Sequence, residues 1–143
     1  RFRTWPLFSE DCVVAIGDDH RFNGRRGVAT AELNRERCCE RVECEFSSYL
    51  ERLLRDLSVA LEVVQRSSRE DWIQAFVRAN VGIAFMPLSN AAAARLACVR
   101  TDDVPIVREV SVMVQGERPP SAAQQAVIDA LVAHDWGPPA PVA

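Results

Sequence analysis

Lysine is absent from this chain of 143 residues, and all 17 basic side chains are arginine. We read that absence as genome composition bias rather than as a functional signature. Histidine occurs only at His20 and His134, and the five cysteines include no CxxC pair, so no zinc-ligand spacing is present. There is no GxSxG, P-loop or dinucleotide fingerprint, which removes the enzyme classes those motifs mark. No apolar run approaches the roughly 20 residues that a membrane helix needs. Basic residues do not exceed acidic ones: 17 face 20, for a net charge of −3. That balance argues against this stretch gripping nucleic acid through a basic patch. No signal-peptide pattern is seen, and the chain opens on Arg1 rather than Met. These features lead to the expectation of a fragment or processed chain without metal or cofactor, in a reducing cytoplasm and off the membrane.

What is present describes an ordinary globular chain, 48% hydrophobic and 26% charged, sized for one domain or two small lobes. Trp5 to Ile16 reads as two strand-like runs around a polar break at Ser9-Glu10-Asp11. Gly17 to Gly27 is a polar loop, with His20 in it as a solvated side chain. Ala29 to Leu33 is at most a short helix that Thr30 could cap. Arg37 to Glu45 reads as a strand. Ser47 or Ser48 then starts a helix whose apolar stripe is Tyr49, Leu50, Leu53, Leu54 and Leu57, a stripe suited to a core. Val59 to Gln65 is the next strand. Ser89 to Leu96 is an alanine-rich helix, and Cys98 to Arg100 a short strand. Val107 to Gln115 is a strand, and Ser121 caps a last helix.

The stretch Ser67–Pro87 carries a helix start, a helix stop and a buried strand in succession. Ser68 can cap a helix, with Asp71 at the capping-box position. Trp72, Ile73, Phe76 and Val77 recur at helical spacing. Asn80 tolerates the left-handed conformation that ends helices. Ile83-Ala84-Phe85-Met86 is apolar on both faces and closed by Pro87, as in a parallel sheet covered by helices. From Arg37 to Met86 the order is strand, helix, strand, helix, strand. That order predicts an α/β fold with a parallel-rich mixed sheet.

The serine pair, the amphipathic helix and the GIAFMP strand resemble the effector-binding domain of LysR-type transcriptional regulators. Leu7-Phe8-Ser9-Glu10-Asp11, Asp18-Asp19-His20, Arg108-Glu109-Val110-Ser111-Val112 and the helix from Ser121 recur in that family's order. Asn80 stands where the family more often has glycine. The resemblance implies a periplasmic-binding-protein-like architecture of type II: two α/β lobes joined by two crossing strands. Residues 1–9 would be the first crossing and residues 10–106 the effector-binding lobe II. Residues 107–136 would return to lobe I, and residues 137–143 would be a disordered tail. It also implies a small-molecule effector, with a carboxylate as a candidate, and self-association as a dimer or tetramer. DNA would be bound only through an absent N-terminal winged helix-turn-helix. The final strand and helix would then lack their usual sheet partners unless another copy or segment supplies them.

Ligands of open α/β sheets collect where strands run into helix starts. Two such junctions stand out, Cys44-Glu45-Phe46-Ser47-Ser48 and Arg66-Ser67-Ser68-Arg69. Both offer hydroxyls and backbone N–H groups, and Arg66 or Arg69 could pair with a carboxylate. The resemblance gives effector-binding roles to Glu45, Phe46, Ser47, Ser67 and Ser68, with Arg69 beside them; serines that only cap helices are the alternative. Glu45 is awkward for an anionic effector and suits a cationic or hydroxyl-rich one. Cys44 stands where peroxide-sensing members carry a reactive cysteine, although their resolving cysteine would fall at Leu53. It is either a redox thiol or a small buried one. A lobe of a solute-binding protein shares the fold. Catalysis would need Cys44 brought to His20 or His134 by folding.

Overall fold

The computed structural model describes residues 2–45, 47–116 and 118–137. Phe46 and the 138–143 part of the expected disordered tail lie outside the described residues, as does Arg1 of the first crossing.

The chain opens on one long strand, β1, Phe2–Ile16. The polar break at Ser9-Glu10-Asp11 does not divide it, contrary to the two runs expected. Those residues pair with Glu109, Arg108 and Val107 of the last strand, β7, Val107–Gln115. Glu10 meets Arg108, and Asp11 Oδ2 lies 2.8 Å from Arg100 Nε. Oppositely charged neighbours across strands keep polar residues in the ladder. The β1–β7 register shifts once, between Pro6 and Phe8.

The far half of β1, Cys12 to Ile16, is apolar and buried because it sits inside a second group of strands. It runs antiparallel to β5, Ala84–Pro87, and to β6, Ala97–Thr101. The short β2, Gly27–Val28, adds to β6 in parallel. Two further strands, β3, Arg37–Arg41, and β4, Glu62–Ser67, pair in parallel. Ile83 joins this pair to β5: its N–H donates to Arg37 O (2.7 Å) and its carbonyl accepts from Cys39 N (2.8 Å). Spatially the order is therefore β2-β6-β1-β5-β3-β4. All but β1 run one way, as the parallel-rich mixed sheet predicted.

The helices are α1, Ser47–Asp56; α2, Glu70–Arg78; α3, Leu88–Ala93; and α4, Ala122–Ala133. α1 packs on one face of the central strands and α2 and α3 on the other, and the two faces have separate cores. Cys12, Val14, Ile16, Phe22 and Phe85 belong to one, and Val13, Ala15, Ile73, Val77 and Met86 to the other. Alternation along β1 sends successive side chains into opposite cores.

Several local expectations are corrected. β3 stops at Arg41 rather than Glu45, and Glu43 follows with a left-handed φ of 58°. β4 begins at Glu62, after Ser58 turns the chain with φ 57°. Thr30 does not cap its short 3-10 turn, Thr30–Leu33. Its buried hydroxyl instead donates to Asp103 Oδ1 at 2.7 Å, and Glu32 accepts from Ala29 N. Ser68 does not cap α2 either. Arg69 occupies the N-cap position, Ser67 Oγ accepts from Arg69 N at 3.0 Å, and Asp71 grips the Arg69 guanidinium instead of closing a capping box. The α1 stripe is a core stripe only in part: Leu54 is buried and Leu50 and Leu53 pack against the core, while Tyr49 and Leu57 are exposed. His20 is not solvated; its ring lies 3.3 Å from Glu36 and 4.9 Å from the Phe22 ring.

Candidate functional site

The parallel β3–β4 pair brings the two strand-to-helix junctions together. Arg41 is the register partner of Ser67, so both strands end at the same edge and both turns leave from it. In the first turn, Ser47 Oγ donates to Cys44 O at 2.9 Å, and Cys44 Sγ contacts Glu45 Oε2 at 3.5 Å. In the second, Ser67 Oγ takes the Arg69 N–H, and Ser68 is exposed.

The charged groups are arranged around these turns in pairs. Arg69 forms two hydrogen bonds to Asp71, 3.0 and 2.6 Å, so its guanidinium is engaged within α2's first turn. Arg66 Nε donates to Glu40 Oε2 at 2.6 Å. Arg41 Nε lies 3.3 Å from Glu70 Oε2, but the geometry is not that of a hydrogen bond, and this buried nitrogen has no hydrogen-bond partner among the described residues.

Glu45 is held from outside its own turn. Arg108, on the strand returning from residue 107, donates Nη1 to Glu45 Oε1 at 2.9 Å. The Glu45 carboxyl lies below its ordinary pKa, first because its own backbone N–H bonds it, then because Cys44 and Arg108 do. Glu45 is thus only partly offset, since the one Arg108 charge is shared with a second carboxylate. The same Arg108 reaches the buried Glu10 of β1 through Nε and Nη2. Sequence reasoning missed Glu10 and Arg108 as neighbours of the site. The available signal was an acidic pair, Glu10-Asp11, facing a lone Arg108 on the other crossing strand.

Behind the first turn lies a cavity of about 370 Å³. It opens between α1 and the β3–β4 pair. Cys38, Leu54, Leu61 and Phe85 form part of its wall, and Cys44, Ser47 and Arg66 stand among its lining residues. Among the described residues, no group of three or more His, Cys, Asp and Glu is placed to hold a metal ion. None of the helices there is long and apolar enough to cross a membrane.

The family model for the LysR substrate binding domain matches residues 1–136. The chain belongs to that family. Solved structures agree on the fold of this LysR domain. The regulatory domain of Synechocystis PCC6803 CcmR, solved in complex with 2-PG, is 20% identical with a TM-score of 0.84; the match covers 92% of this chain and 66% of that one. The C-terminal domain of a probable LysR family transcriptional regulator from Rhodococcus sp. RHA1 is 19% identical, TM-score 0.78, over 92% of this chain and 68% of that one. A Corynebacterium glutamicum OxyR mutant is 20% identical, TM-score 0.76, over 92% of this chain and 42% of that one. The LysR domain here thus spans just under two thirds of the CcmR domain's length and less than half of the OxyR chain. No curated protein matches it in sequence. Its architecture is the α/β, periplasmic-binding-protein-like one that the sequence predicted.

Proposed function

We propose that this domain is the ligand-sensing part of a LysR-type transcriptional regulator. A small molecule binds at the paired turns of residues 44–47 and 66–69, and the rest of the protein supplies the facing lobe and the DNA-binding domain. Residues 1–9 and 107–136 serve as the lobe I crossings and residues 10–106 as lobe II. Effector binding favours one lobe arrangement and changes the geometry of a dimer or tetramer on DNA. The full regulator works in the cytoplasm. The observation that carries this reading is the Arg41–Ser67 register, which sets both turns side by side at one sheet edge in a domain of this family. Ser47, Ser67 and Ser68 supply hydroxyls for the polar head of the effector, a carboxylate among the candidates, while Glu45 shares the Arg108 guanidinium with Glu10. CcmR was solved with the small molecule 2-PG, which supports a small-molecule effector.

The test is a thermal-shift screen of aromatic and aliphatic carboxylates, amines and polyols. A shift lost with Ser68→Ala is the expected result, because Ser68 is exposed and its removal leaves the fold intact. Shifts that persist unchanged in both Ser68→Ala and Ser47→Ala would refute the turns as the site.

A thiol-sensing reading is favoured by one observation. Cys44 is half-buried at the first turn, whereas Cys12, Cys38, Cys39 and Cys98 are buried. A peroxide arm of the same screen separates the two: a response lost with Cys44→Ser supports thiol sensing.

A further inference from the structure

We propose that the cavity between α1 and the β3–β4 pair receives the apolar body of the sensed molecule, a single ring or a short branched chain. The proposal rests on the ligand-sensing reading and adds the class of ligand to it.

The first observation is that α1 has the face of a core helix of which only part reaches the core. Tyr49, Leu50, Leu53, Leu54 and Leu57 recur at the spacing that makes one apolar stripe. Only Leu54 of these is buried, and Leu50 and Leu53 are partly buried at the margin of the nearby core. The helix stands off the sheet, and the cavity is the space between them.

The second is size. The space is partly open to solvent and measures about 370 Å³. It falls among small-molecule sites, which run from roughly 300 to 1,000 Å³.

The third is the grading of its chemistry. Cys38, Val59, Leu61, Val63 and Phe85 line it from the strand side and Leu54 from the helix. Its charged lining groups lie on the remaining wall: Arg66 donates to Glu40 at 2.6 Å, and Arg41 Nε lies 3.3 Å from Glu70 without a hydrogen bond. An ionised group on the apolar wall would lose its water without gaining a partner. The enclosed part of the ligand is therefore uncharged, and its polar head stays at the mouth beside Cys44 and Ser47. Occupancy would draw Leu50 and Leu54 onto the ligand. Because α1 follows directly on the turn in which Glu45 meets Arg108, that movement would be felt by the crossing strands.

The experiment is a ligand-observed ¹⁹F titration with 4-fluorobenzyl alcohol and 4-fluorobenzoate, which share a ring and differ in head group. Acetate serves as the control without a body. At least one fluorinated probe is expected to bind saturably while acetate does not compete. Val63→Trp, filling the cavity from the strand side, is expected to weaken binding at least tenfold. Leu50→Trp makes the same test from the helix should Val63→Trp melt early. In the wild-type domain, nuclear Overhauser contacts from the probe ring to the methyls of Leu54, Leu61 and Val63 are expected. Unchanged affinity in a folded cavity-filling variant, or ring contacts only to other residues, would overturn the proposal. If binding were then lost with Ser68→Ala, sensing at the turns would still stand. Absence of saturable binding by either probe also overturns the apolar-body proposal. The broader carboxylate, amine and polyol screen decides the turn site separately.

Discussion

Arg108 places Nε and Nη2 on one oxygen of Glu10, at 2.8 and 2.6 Å, although 98 residues separate them. Glu10 is 6% exposed, and its other oxygen accepts from Ser89 N at 3.1 Å. The remaining Arg108 nitrogen goes to Glu45, which is well exposed. One guanidinium thus joins both crossing strands to the turn proposed to meet the effector. Glu10 is its fixed partner, and Glu45 the one a ligand could displace.

That arrangement makes stability depend on pH through Glu10. Burial alone would raise its carboxyl pKa, but hydrogen bonds from Ser89 and Arg108 outweigh burial, so it sits below its ordinary 4.5. A depressed folded-state pKa contributes stability that is present above the unfolded value and is lost as pH falls through the folded one. Glu10→Gln should lower the unfolding free energy by about 3–5 kcal/mol near neutral pH, the scale of a broken buried pair. The gap from wild type should narrow in acid. Urea denaturation of both proteins at neutral and acid pH measures it. An equal gap at both would mean that Glu10 acts through packing alone.

Thiol reactivity should divide the five cysteines. Burial pushes the Cys12 thiol up to about 11 and the Cys38 thiol to about 12, and raises Cys39 and Cys98 as well. The thiolate is the reactive form, so buried thiols with raised pKa values react slowly. A colorimetric disulfide reagent at mildly alkaline pH should titrate Cys44 rapidly in the folded protein and the rest only on unfolding. Cys44→Ser should remove the fast phase. A fast phase that survives this substitution would point to local opening around a buried cysteine.

Gly82 should not tolerate a side chain. A Cβ there would lie 2.7 Å from the Arg37 carbonyl oxygen and 2.9 Å from its carbon, both backbone atoms that cannot swing away. The clash falls where Ile83 joins β5 to β3. Gly82→Ala is expected to cost about 2 kcal/mol or more, in the range of overpacking penalties. Chemical denaturation reads the loss. A change within error would show that the β3–β5 junction is free to separate.

Ser121 should behave as an ordinary helix cap. Its hydroxyl accepts from Gln124 N at 3.3 Å, and the Gln124 side chain accepts from Ser121 N at 2.9 Å. Ser121→Ala should destabilise the domain by about 1 kcal/mol. Hydrogen exchange should quicken only in the first turn of α4. Protection lost along the whole helix would mean that α4 docks through its cap.

Features governed by near neighbours are legible in the residues alone. The β7 boundaries, the Ser121 cap and the left-handed Asn80, whose φ is 54°, match the expectations drawn from the residues. So does the two-faced apolar strand closed by Pro87, buried along its length. The errors share a cause. Ser9-Glu10-Asp11 looks like a break because polar runs usually end strands, yet cross-strand cations keep it in the ladder. Ser68 looks like a cap because serine caps are common, but the turn closes one residue earlier, on Ser67.

The candidate site divides in the same way. The two strand-to-helix turns can be located along the chain, because the change from strand to helix period is written locally. Their adjacency requires the parallel pairing of β3 with β4. The partner of Glu45 lies 63 residues away, and the residues that line the cavity come from both sides of the space under α1.

By itself, the sequence determined the alternation of strands and helices, the capping of the last helix and membership of a ligand-binding family. Backbone preference and apolar period are short-range properties that survive without tertiary contacts. Only the tertiary structure decided which charges meet and that α1 stands off the sheet. Those outcomes depend on distances between segments far apart in the chain, and no local pattern encodes such distances.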